Sequence, residues 1–100
     1  MNHQSLFNQL REQFNLTLYD PTTRDGATYY TLLYKNWCHV GKCIEYQSNI
    51  ILIIGYFVCW LDDLFGAVCF KQSNNEIIDT KTIWMWIVGA IQKPIKYTIP

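Results

Sequence analysis

The sequence predicts an α+β domain, a mainly antiparallel sheet of four to five strands with one helix near each end of the chain. Three observations carry this. Apolar residues recur at helical spacing in residues 5–14. Runs rich in aromatic and β-branched side chains, separated by turn residues, fill the middle of the chain. A capped helical segment from about Lys81 to Gln92 runs up to Pro94. With no linker, repeat or low-complexity tract, residues 1–100 read as a single domain.

At the first helix Ser5 is a good N-cap, and Leu6, Phe7, Leu10 and Phe14 fall on one face. Leu16–Tyr19 alternates as a strand does, and residues 20–26, rich in turn formers, read as a surface loop. Ala27–Tyr34 is expected to return as the second strand of a hairpin, with a helix over 28–40 as the competing reading. Cys43–Tyr46 is expected to be a third strand. Ile50–Ile54 is a buried strand by its β-branched run, whereas Tyr56–Leu61 fits strand or helix. Asp62-Asp63 reads as a solvated corner between two core elements, followed by a hairpin with its turn at Gln72–Asn75. On the last helix Ile83, Trp84, Ile87, Val88 and Ile91 share a face, leaving Met85, Trp86 and Ala90 outside it. Ile95–Ile99 alternates as an edge strand would.

Composition narrows the function. Eight basic and eight acidic side chains balance, and only Arg11 and Arg24 are arginines. Direct nucleic-acid binding, which draws on many Lys and Arg contacts, is therefore not expected. The uncharged run Ile50–Leu61 is too short for a bilayer, which needs about 20 apolar residues, and continuing it to Phe70 would bury two carboxylates. No membrane attachment is expected. The first ten residues lack a basic and an apolar signal region, so a cytoplasmic location is expected. The glycines form no phosphate-binding motif, and no cofactor is expected.

Among the thiols, Cys38 stands beside His39, but neighbours on a strand point to opposite faces, so they are not a nucleophile and its base. Cys38-x4-Cys43 with Cys59 and Cys69 could supply four sulfurs to zinc, or three with His39, but Cys59 and Cys69 lack the paired short spacing of a zinc knuckle, and a core role is the expectation. The carboxylates are the stronger catalytic lead. Asp63, a hairpin, and then Ile77-Ile78-Asp79-Thr80-Lys81 resemble the PD-(D/E)xK signature of metal-dependent nucleases over about 20 residues. That resemblance implies Asp63 and Asp79 as ligands of a divalent cation and Lys81 as the group polarising the attacking water. No proline precedes the first Asp, and Thr80 stands where an apolar residue is usual.

Four Trp and seven Tyr exceed what a small core can cover, and Trp84 and Trp86 lie about 200° apart on a helix. Trp, Tyr and Arg are common interface anchors. The favoured expectation is a small non-catalytic binding protein that docks another protein, or its own copy, through Trp86, Trp60 and Trp37 with Asp62 and Asp63 nearby. Inhibitors of host defence carried by phages and mobile elements, anti-CRISPR proteins among them, form one class of such molecules. The metal-dependent nuclease is the alternative.

Overall fold

A computed structural model describes residues 3–92. Helix α1 (His3–Phe14) is followed by strands β1 (Leu16–Arg24), β2 (Ala27–Tyr34), β3 (Cys38–Tyr46), β4 (Asn49–Ile54), β5 (Phe57–Leu64), β6 (Ala67–Lys71) and β7 (Ile77–Ile78), then helix α2 (Thr80–Gln92). The α+β class and the two helices are as expected, but the sheet has seven strands, not four or five. They lie in chain order, each antiparallel to the next. The edge strand expected at Ile95–Ile99 lies outside the described residues.

The sheet departs from the expectation at three places where turn chemistry outweighs composition. Gly55, at φ 61°, turns the chain inside the apolar run, so Ile50–Leu61 is a hairpin of β4 and β5 and not one element. The Asp20-Pro21 pair, read as a loop, sits inside β1. It forms a bulge between Tyr19 and Thr22, tolerated because β1 is an edge strand whose missing N–H faces no partner. Asp62 and Asp63 are likewise not a corner. They pair with Cys69 and Val68, and the chain turns one step later at Phe65-Gly66, both at positive φ. Residues 28–40 are not helical. β3 begins at Cys38 and runs through Gly41.

Both helices cover one face of the sheet. Leu6, Leu10 and Phe14 of α1 and Ile83, Ile87 and Ala90 of α2 are buried against Leu32, Val40, Cys43, Leu52, Ile54, Cys59 and Phe70. α1 begins before Ser5, so Ser5 lies inside the helix and is not its cap. Its first turn is tied to the sheet where Nδ1 of His3 meets Glu45, whose other oxygen accepts the hydroxyl of Tyr30 at 3.2 Å. At the other end Phe14 packs edge-on against Phe70 at 5.5 Å and against Trp84 at 5.2 Å. One ring thus joins α1, β6 and α2.

The rotation of α2 differs from the expected stripe. Trp86 and Ile91 flank its buried row, while Trp84 and Val88 are 38% and 46% exposed. Packing direction decides this. Ile83, Ile87 and Ala90 face the sheet, with Ala90 beside the turn at Gly55.

Two glycines answer to different constraints. A Cβ on Gly41 would lie 1.8 Å from the backbone oxygen of Ile53, so the strand crossing at this bulge admits no side chain. Gly55 instead needs its positive φ, and has room. Gly41→Ala is therefore expected to cost about 3 kcal/mol or more, and Gly55→Ala only about 1–2 kcal/mol. Urea unfolding of both variants checks the order, and equal costs would refute the close-approach account.

Candidate functional sites

The expected site residues separate into four places. Trp37 is in the β2–β3 turn, 74% exposed and away from the others. Trp86 sits on α2, partly buried, with its ring stacked on Phe57 at 5.0 Å and 6° between planes. Trp60 and Asp62 share the outer side of β5, away from the helices. Asp63 is absorbed by its own hairpin, where one carboxylate oxygen accepts the N–H of Gly66 at 2.7 Å.

Two concave sites emerge from this. The first is an apolar groove of about 330 Å³ between α2 and the β4–β5 turn. Phe57 and Trp86 make a wall, Gly55, Gly89 and Ala90 leave the floor open, and Tyr56 and Met85 stand 91% and 71% exposed at its rim. The second is a polar cleft of about 520 Å³ on the far side of the sheet. It lies between Trp60, Asp62 and Lys71 on the strands and the loop joining β6 to β7. Trp60 reaches it at the end of a cross-strand row, Tyr29–Ile44–Ile51–Trp60–Lys71, formed by the ladder itself.

In that cleft Nζ of Lys71 donates to Asp62 at 2.9 Å. The Lys71 hydrogen bond, then the N–H of Asp63, hold the Asp62 carboxyl below the usual carboxylate range. A depressed pKa means that the tie is present above the ordinary aspartate value and is lost as pH falls through the lowered one. Lys71→Met should raise the Asp62 pKa toward the ordinary value in a carboxyl ¹³C NMR titration. No change would mean the ion pair is not formed in solution.

The nuclease-like residues are engaged separately. Asp79 caps α2, accepting both the N–H and the hydroxyl of Thr82 at 2.8 Å, and these two bonds lower its pKa. Asp63 closes the β5–β6 turn, and no three His, Cys, Asp or Glu side chains among the described residues are grouped to hold a metal.

The four cysteines are free thiols, all buried. Burial first, then the charge of Glu45 and Cys59, pushes Cys43 up to about 12, and burial alone pushes Cys59 to about 12. His39 turns its Nε2 to the carbonyl of Gly41 at 2.8 Å. Thiols so protonated are poor nucleophiles. A disulfide-exchange reagent at about pH 8 should label Cys43 and Cys59 only after denaturant is added. Rapid labelling of the native chain would contradict this burial.

Sequence reasoning missed Asn49, Gln72 and Asn75 of the cleft and Gly55, Tyr56, Phe57, Met85 and Gly89 of the groove. Only the exposed aromatics gave a signal, because both sites are made by strand register and not by sequence proximity. The fold thus defines an α+β meander domain in which the expected Trp86 lines an apolar concavity and the expected Trp60 and Asp62 line a polar one. No helix among the described residues is long and apolar enough to cross a membrane. No family model matches the chain, and neither a curated protein nor a solved structure matches it.

Proposed function

We propose that the chain is a small non-catalytic binding protein that docks another protein through the groove between α2 and the β4–β5 turn. One observation carries this reading: Tyr56, Phe57 and Met85, all more than half exposed, gather around a concave apolar floor with no charged residue in its lining. Exposed apolar area of this kind is costly in water unless something covers it. A pocket walled by a rigid Trp–Phe stack is the usual seat of an interface anchor. The fitting occupant is an uncharged apolar side chain projecting from a partner protein, since a charged one would lose its hydration without gaining a counter-ion.

Such a protein acts by occlusion, for which a standard interface of about 1,600 Å² is enough. An inhibitor of a host defence complex is one form of this role, and it supplies the biological setting in which a short accessory protein needs no chemistry of its own.

Gly89 offers a clean test, because it lines the groove and a Cβ there meets nothing within 4 Å, which leaves room for a larger side chain to enter the groove. Peptides selected from a random display library on the wild-type chain should carry an apolar anchor. Their affinity should fall at least about tenfold on Gly89→Leu, with an unchanged circular dichroism spectrum. Peptides that bind both forms equally would remove the groove from consideration.

A further inference from the structure

We propose that the polar cleft beside Trp60 is a binding site for a neutral saccharide. The inference is independent of the docking groove, which shares no residue with it.

The lining decides the ligand class by what it can and cannot satisfy. At about 520 Å³ the cleft falls within the usual range of small-molecule sites. Its charged groups are Asp62 and Lys71, and these neutralise each other at 2.9 Å. No cation is left over for a phosphate or carboxylate, and one carboxylate already bonded to an ammonium is a poor start for a metal site. An apolar ligand fares no better, because only Trp60 and Leu61 are apolar in the lining.

What remains is neutral and polar in both senses. The side-chain amides of Asn49, Gln72 and Asn75 make no hydrogen bond within the described residues, and each presents a carbonyl acceptor and an NH₂ donor. Ser48 and Ser73 add hydroxyls at the rim. A sugar hydroxyl needs a donor and an acceptor together, which an amide supplies and a lone charge does not. A pyranose also has a face of C–H groups, and the indole of Trp60 is the flat apolar surface that such a face covers.

The wall opposite Trp60 is already formed. In the β6–β7 loop the N–H of Gln72 donates to the carbonyl of Glu76 at 2.9 Å, and that of Asn75 to the carbonyl of Gln72 at 3.0 Å. The N–H of Glu76 donates to the side-chain oxygen of Asn74 at 3.1 Å. On the strand side Trp60 stands beside Lys71, its ladder neighbour. The loop backbone therefore needs no further ordering on binding, which removes one part of the entropic cost that weakens most small polar ligands.

The four tryptophans make the test direct, since each gives its own indole N–H cross-peak in a ¹⁵N spectrum of the full chain. Chitotriose, maltotriose, cellotriose and mannotriose are titrated separately to about 20 mM, with sodium phosphate as the anionic control. At least one trisaccharide should shift the Trp60 peak saturably and leave those of Trp37, Trp84 and Trp86 in place. The shift should be insensitive to salt, as a neutral ligand requires. Asn49→Ala with Gln72→Ala should weaken binding at least about tenfold, the other three indole peaks reporting an intact fold. Failure of all four sugars, an equal shift with phosphate, or undiminished binding by the double variant would each overturn the proposal. A negative result here leaves the peptide experiment on the groove unaffected.

Discussion

The contact between Phe14 and Phe70 is the constraint on which the rest of the molecule leans. A seven-stranded meander left flat would set β1 and β6 far apart, five strand spacings of about 4.8 Å. Yet Phe14, one residue from β1 in sequence, lies against Phe70 of β6. The sheet must coil around α1 for this to happen, and coiling is what creates an inner face deep enough to bury Leu10, Leu52 and Cys59 completely. Burying a phenylalanine contributes about 1.5–3 kcal/mol, and an edge-to-face ring pair about 0.5–1.5 kcal/mol beyond that. Because Trp84 shares the same ring, the seat of α2 depends on it as well.

Much of this fold is legible in the sequence where local chemistry and tertiary demand agree. The Leu6–Phe14 stripe and the aromatic strand Ala27–Tyr34 are read correctly because the burial pattern repeats what each residue prefers by itself, whereas of the loop expected over 20–26 only Asp25-Gly26 is a turn. Reading fails where one residue overrules its neighbours. A glycine inside an isoleucine run divides it into two strands, and an edge position rescues a proline. An Asp doublet stays in the ladder because the next pair can take the positive φ values. Phe65 does so while fully exposed, an arrangement that no preference scale would suggest.

The sites were less legible, for a geometric reason. Trp60 and Asp62 are two residues apart and thus on one side of a strand, but Asn49 and the β6–β7 loop join them only through the register of three ladders. Trp86 was visible as a surplus aromatic, whereas its partner Phe57 is brought to it by a turn the sequence hides within an apolar run. The two faces of the sheet thus differ in chemistry. The helix side carries an uncharged, mainly apolar hollow, and the far side carries amides near an indole.

The chain-order sheet has a further consequence, for how the molecule assembles. Every strand pairs with the one made just before it, so six successive hairpins can form without any long loop having to close. Contacts of this local kind favour rapid formation, whereas seating α1 on β6 and α2 on β3 and β4 joins segments far apart in the chain. The hairpins can thus come first and the Phe14–Phe70 contact after them, so that the contact holds the finished structure more than it guides its formation. In kinetic terms the ring that holds the native structure together is a clasp, fastened last.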